Sequence, residues 1–161
     1  MRDDEFERLY AAEAQGLFAF LAYRTGDRAL AEDLLADAFE RALRARRRFD
    51  VRRGSQKTWL YSIALNVLRD HLRRAAAEGR ALERAGGVPE AAGDARLESL
   101  GEREALSAAL ATLAPEEREA IALRFGAELT VPEIAKLLGE PLTTVEGRVY
   151  RALRKLRERL G

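Results

Sequence analysis

The sequence predicts an all-α protein of two small helical domains joined by a flexible linker, and three observations predict it. Apolar residues recur at spacings of three and four rather than two, the signature of amphipathic helices. Ala, Leu, Glu and Arg dominate, all good helix formers, while strand-like runs of β-branched residues are nearly absent. Between two periodic blocks, residues 75–98 lose their large apolar side chains and gain Gly79, Gly86, Gly87, Pro89 and Gly93. So little apolar surface cannot offset the entropy of ordering the chain, which reads as a tether. The expected division is 1–75, a linker over 76–99, and 100–161.

The first block opens with a helix over 4–23, where Phe6, Leu9, Tyr10, Leu17 and Leu21 keep helical spacing and Gly16 is a candidate break. Thr25-Gly26-Asp27 reads as a turn. A helix over 28–47 follows, with Leu30, Leu34, Leu35, Ala38, Phe39 and Ala42 on one side. Asp33, Asp37, Glu40, Arg41 and Arg44 occupy the other. Residues 50–55 read as a loop, and Thr58 has the chemistry of an N-cap for a helix over 59–74. Its apolar arc of Trp59, Leu60, Ile63, Ala64, Val67 and Leu68 is wide enough to pack on more than one neighbour. Residues 75–85 have the composition for a frayed turn or two.

In the second block, 100–113 is amphipathic, and Pro115 suits the first position of a helix reaching Phe125. Thr130 and Glu133 have capping-box spacing ahead of Ile134, Leu137 and Leu138. Gly139-Glu140-Pro141 reads as a turn, and the last helix starts within 141–144 and runs close to Gly161. A short helix, a tight glycine-containing turn and a longer helix make a helix-turn-helix. Val145, Val149, Leu153, Leu156 and Leu160 share one face of the longer helix, while Thr144, Arg148, Arg151, Lys155 and Arg159 stripe another. The apolar face can dock on neighbouring helices while the basic stripe meets a phosphate-lined groove. A solvated basic face on a structural helix has the same periodicity, so the pattern alone leaves both readings open.

Composition excludes several classes. The 161 residues carry 28 Lys+Arg against 27 Asp+Glu, a net charge of +1, so a uniformly basic nucleic-acid coat is out. Uneven placement of those charges keeps nucleic-acid binding open. With 0 Cys there are no disulfides, thiolate nucleophiles or cysteine metal sites, and the single histidine, His71, lacks partners for a zinc or catalytic centre. The clustered glycines are not followed by Gly-Lys-Ser/Thr, so no phosphate-cradling loop is present. No cofactor, metal or catalytic residue is expected. The acidic start MRDDEFERLY is no signal peptide, and no stretch approaches the roughly 20 apolar residues that span a bilayer. A cytoplasmic protein without membrane insertion is expected.

Two stretches of the first block and two of the second carry a resemblance. They are Gly26-Asp27 through Ala31–Phe39, Lys57–Asn66 continuing through Asp70-His71-Leu72-Arg73-Arg74, Leu113–Glu119 with Ile121 and Leu123-Arg124-Phe125, and Glu133–Gly139 with Thr144-Val145 and Arg148–Arg157. Taken in this order they resemble the bacterial RNA polymerase sigma factors of the sigma-70 superfamily, specifically the extracytoplasmic-function (ECF) type. The resemblance covers nearly everything outside 75–98. Glu140, Thr143, Glu146 and Gly147 depart from the family's usual hydrophobic residue, glycine, basic or polar residue and serine. Thr143 with Glu146 has the spacing of a capping box, which would start the last helix late.

The resemblance implies partners and roles. Asp33, Asp37, Glu40, Arg41 and Arg44 would face core RNA polymerase, although Asp37–Arg41 and Glu40–Arg44 are also ordinary i,i+4 pairs worth about 0.2–0.5 kcal/mol each. The basic run through 41–57 and its aromatics, Phe49, Trp59 and Tyr61, would meet melted −10 promoter DNA, which needs neutralised phosphates and surfaces for exposed bases. Arg48, Arg52, Ser55, Gln56, Lys57 and Trp59 are the contact residues there, with Trp59 equally suited to a core position. Ser62, Asn66, Arg69 and Arg73 would follow the duplex just upstream. Thr144, Arg148, Arg151 and Lys155 would hold the −35 element. An anti-sigma protein is a further implied partner. Two alternatives stand beside this reading: a polymerase-independent helix-turn-helix regulator whose N-terminal block dimerises or senses an effector, and a sigma-like protein that has lost promoter binding.

Overall fold

A computed structural model describes residues 1–79 and 97–161. Among the described residues the chain is helical throughout, in two groups of helices, as expected. The first group comprises α1 (Asp3–Thr25), α2 (Arg28–Ala45) and α3 (Gln56–Ala77). The second comprises α4 (Leu97–Ala111), α5 (Pro115–Ile121), α6 (Val131–Leu138) and α7 (Leu142–Leu160). The tether expected over 76–99 lies, for 80–96, outside the described residues; Ala76 and Ala77 close α3, and 97–99 open α4.

Several boundaries differ from expectation for identifiable reasons. Helix α1 runs unbroken through Gly16, because Leu9, Leu17, Phe20 and Leu21 bury one continuous face that outweighs the roughly 1 kcal/mol glycine penalty. Gly26 ends it in the left-handed conformation, φ 66°, and Asp27 caps α2 by accepting from the Leu30 N–H at 3.1 Å. Helix α3 starts three residues before the expected Trp59, since its N-cap is Ser55, which accepts from the Thr58 N–H at 3.1 Å. Gln56 and Lys57 are therefore helical. Helix α5 ends at Ile121, short of Phe125, and one π-helical turn over Ala122–Gly126 buries Leu123 and leaves Phe125 exposed. The cap of α7 is Pro141, so Thr143 sits inside the first turn and the late start expected from Thr143 and Glu146 does not occur.

The apolar faces meet as their periodicity requires. Leu17 and Leu21 of α1, Ala31 and Ala38 of α2, and Leu60, Ala64 and Leu68 of α3 form one core; Leu123, Leu129, Ile134, Val145 and Ala152 form the other. These cores join, because α1 packs on the π turn and α3 on α6. Truncating a fully buried leucine such as Leu60 costs on the order of 2–5 kcal/mol. No described helix is long and apolar enough to cross a membrane.

Candidate nucleic-acid and polymerase interfaces

Helix α2 turns its charged side outward. Asp33 and Glu40 are exposed, and both anticipated i,i+4 pairs form: Arg41 reaches Asp37 at 3.3 Å and Arg44 reaches Glu40 at 2.6 Å. Arg41 also spans to Asp70 of α3, again at 3.3 Å, and Asp70 takes a second ion pair from Arg73. The Arg41 hydrogen bond, aided by the Arg73 and Arg41 charges, holds the Asp70 carboxyl below the usual carboxylate range. The polymerase-facing and DNA-facing candidates are thus tied into one lattice, a link the sequence could not reveal.

After α2 the chain makes two 3₁₀ turns, Arg46–Arg48 and Val51–Arg53, before Ser55 caps α3. The basic run sorts into two kinds of cation. Arg46 pairs with Asp3 at 2.9 Å and Arg52 with Asp50 at 3.1 Å. Arg47, Arg48 and Lys57 make no ion pair among the described residues, which leaves their charge available to phosphate, while Arg53 forms no close pair but its charge acts on Asp50. Phe49 meets Trp59 edge to face, ring centroids 5.5 Å apart, and both are half-buried. Trp59 thus packs on Phe49 and also lines the adjoining cleft. Tyr61 is fully buried against Phe20, so it is a core residue and offers no stacking surface. Along α3, Asn66, Arg69 and Arg73 are exposed on one stripe; Ser62, half-buried there, donates to the Trp59 carbonyl at 2.6 Å.

A cleft of about 450 Å³ opens between this loop and α6. Its apolar wall includes Phe49, Trp59, Ile63 and Leu137, and its charged lining is mixed, with Arg48, Arg53 and Lys136 beside Asp50 and Glu133. Gly54 shapes its mouth: at φ 151° it takes a backbone conformation that side chains rarely adopt, and a Cβ there would stand 3.1 Å from the Thr58 hydroxyl. A planar group such as a base matches the apolar wall.

In the second group, the capping box forms as expected. Thr130 accepts from the Glu133 N–H at 3.2 Å, and Glu133 accepts from the Thr130 N–H at 2.9 Å. Gly139, φ 67°, makes the turn into α7. The basic stripe of α7 is less free than its periodicity suggested. Arg148 is only 18% exposed and pairs with Glu140 at 3.2 Å. Lys155 donates to Glu117 of α5 at 2.7 Å, and Arg151 approaches the same carboxylate at 3.9 Å. Thr144 is half-buried. The outermost ridge of α7 is instead Thr143, Glu146, Tyr150 and Arg154.

Glu117 is the residue sequence reasoning missed. Burial alone would raise its pKa, but hydrogen bonds from Lys155 and the Ala114 N–H, with the Lys155 and Arg151 charges, outweigh that and hold it below the ordinary range. Its capping position after Pro115 was visible in the sequence; its partner on α7 was not. No group of acidic and histidine side chains among the described residues could hold a metal.

Residues 9–78 match the family model for Sigma-70 region 2, and residues 103–156 match Sigma-70, region 4. The N-terminal block that the regulator reading made a dimerisation or effector module is thereby accounted for. The chain is 34% identical to the ECF RNA polymerase sigma factor BldN of Streptomyces coelicolor over 95% of its own length and 59% of that protein's. Against the RNA polymerase sigma factor CarQ of Myxococcus xanthus it is 37% identical, over 98% of this chain and 90% of that one. Among solved structures, the sigma factor RpoE of Bartonella quintana, in complex with the anti-sigma factor NepR, superimposes with a TM-score of 0.77 at 25% identity, covering 98% and 97% of the two chains. CnrH in complex with the cytosolic domain of CnrY gives 0.70 at 26%, covering 98% and 88%. A two-lobed helical fold with these matched segments in this order defines a transcription-initiation subunit rather than an enzyme, and the chain belongs to the sigma-70 superfamily as an ECF-type sigma factor.

Proposed function

We propose that this chain binds core RNA polymerase, directs it to promoters through −10 and −35 elements, and assists strand opening. The observation that carries the reading is the meeting of Arg48 and Arg53 with the Phe49–Trp59 pair in one cleft at the head of α3, with Arg47 and Lys57 adjacent in sequence and in no ion pair among the described residues. Phosphates of a separated strand would be neutralised by the cations while an unstacked base enters the aromatic cleft, which Ser55 lines, with Arg52 and Gln56 as further contact residues of the same loop and helix start. Affinity for single-stranded DNA over duplex shifts the opening equilibrium without any chemical step. Asn66, Arg69 and Arg73, with Ser62, would track the duplex upstream. Asp33, Asp37 and Glu40, with Arg41 and Arg44, would orient the polymerase, a role in which charge sets partner choice more than affinity.

Helices α6 and α7 would take the −35 element, with Thr144, Arg148, Arg151 and Lys155 near the groove. Elements about 25 base pairs apart lie on the order of 85 Å apart along B-DNA. Here α6 faces the −10 loop across one cleft, so engaging both elements requires the lobes to part. A protein that held them together would inhibit, and the complex of Bartonella quintana RpoE with an anti-sigma factor supports such a partner for this chain. This work would be done in the cytoplasm.

The test is transcription from a pooled promoter library by bacterial core polymerase, with and without the protein, followed by sequencing of the starts. Starts sharing two spaced elements are expected. Specific duplex binding with neither transcription nor core binding would instead establish the regulator.

A further inference from the structure

We propose that Glu146 reads a base, selecting a cytosine in the upstream promoter element by accepting a hydrogen bond from its N4 amino group. This rests on the −35 role proposed above for α7. The argument begins with charge on the first two turns of that helix. Only Glu146 and Arg148 are charged between Leu142 and Val149, and Arg148 is largely buried in its pair with Glu140. Glu146 is exposed, and no cation among the described residues pairs with it. Val145 and Val149 fix the helix's inner face, which turns Glu146 outward on the ridge with Thr143 and Tyr150. Beside it, Gly147 has no side chain to hold the helix off a groove, and a Cβ there would stand 3.0 Å from the Arg151 guanidinium.

A carboxylate can only accept hydrogen bonds. In the major groove guanine presents two acceptors, thymine an acceptor and a methyl group, and adenine an acceptor beside its donor. Cytosine alone presents an amino donor without an acceptor beside it. An unpaired carboxylate therefore gains at cytosine and is repelled elsewhere, by base acceptors and by phosphate. Specificity of this kind comes as much from rejecting the wrong partner as from binding the right one. Bidentate arginine or lysine readout of guanine is unavailable on these two turns.

The experiment uses the full chain with core polymerase on promoters randomised across the upstream element, comparing wild type with Glu146→Ala and Glu146→Gln. Wild type should prefer cytosine at one position by about 5- to 150-fold over other bases. Glu146→Ala should level that position alone, leaving the other letters and the downstream element intact, and Glu146→Gln should move it towards adenine. Cytosine preference surviving in Glu146→Ala overturns the inference, as does an equal gain for every sequence, which would make Glu146 merely repulsive. Two spaced elements with no selected cytosine in the upstream one would sink the inference and leave the sigma reading standing. Absence of any upstream element would remove both.

Discussion

The Lys155 ammonium lies 2.7 Å from a carboxylate oxygen of Glu117, a side chain only 5% exposed and 38 positions earlier in the chain. The same carboxylate caps α5 through the Ala114 N–H at 2.9 Å. One acidic group therefore fixes both the start of α5 and the position of α7 upon it, which makes it a positioning residue for α7.

That arrangement has a pH signature. The Glu117 carboxyl is held below its unfolded value, so its contribution to stability is full above the ordinary carboxylate range. It declines as pH drops beneath that range and is gone once pH has passed through the depressed folded value. Glu117→Gln should cost about 1.5–3 kcal/mol at neutral pH, the worth of hydrogen bonds to a charged group. The gap between variant and wild type should close in acid. Thermal melts of both proteins across a pH series check this, and a gap that stays constant into acid would refute the assignment.

Gly16 offers a test of opposite sign. It lies in mid-helix with ordinary helical geometry, and a Cβ there would sit 3.7 Å from the Tyr61 hydroxyl, an unstrained contact. Gly16→Ala should therefore stabilise the protein by about 0.5–1 kcal/mol through the unfolded chain and helix propensity. Denaturant unfolding measures it directly. Destabilisation would mean that α1 and α3 are packed more tightly than this distance implies.

What the sequence made legible was whatever depends on period and local chemistry. The helices, the turns at Gly26 and Gly139, and the Thr130–Glu133 box are all local, and each was found, with the ends of α3 and α5 shifted from expectation. What escaped depends on the third dimension. Ser55 displaced Thr58 as the cap of α3 because both are competent caps three residues apart. The stripe Thr144, Arg148, Arg151 and Lys155 was correctly periodic, yet nothing local shows that Glu140 and Glu117 engage three of its members. Lys136 entered the cleft only because α6 packs against α3. The core and the two groups of helices were therefore readable, while the division of cations into paired and free was not.

That division bears on α2, the helix proposed to meet the polymerase. Asp37 is already joined to Arg41, whereas Asp33 is exposed and in no ion pair among the described residues. Asp33→Lys should sharply weaken binding to core polymerase while circular dichroism shows unchanged helicity. Asp37→Lys should do the same and also break the intrahelical pair with Arg41, whose bridge to Asp70 of α3 remains. Undiminished core affinity in Asp33→Lys would show that this face does not meet the polymerase.

The cations of α7 differ in how much charge they have left to give to DNA. Arg151 is 59% exposed and only distantly associated with Glu117, and Arg154 is 69% exposed in a 3.4 Å pair with Glu158. Exposed pairs of this kind are weak and exchange readily for phosphate. Arg148 and Lys155 are held by closer carboxylates, one of them buried. Replacing Arg151 or Arg154 with Ala should therefore weaken binding of the polymerase-bound chain uniformly across sequences and lower the salt slope by about one. Lys155→Ala should leave the slope nearly unchanged and instead lower the melting temperature, by about 2–4 °C for each kcal/mol lost in a chain of this size. Titrations of duplex over a potassium chloride series, paired with melts of the free protein, separate the two effects. A slope that falls by one with Lys155→Ala would mean that DNA outcompetes Glu117 for this side chain and that the buried pair opens on binding.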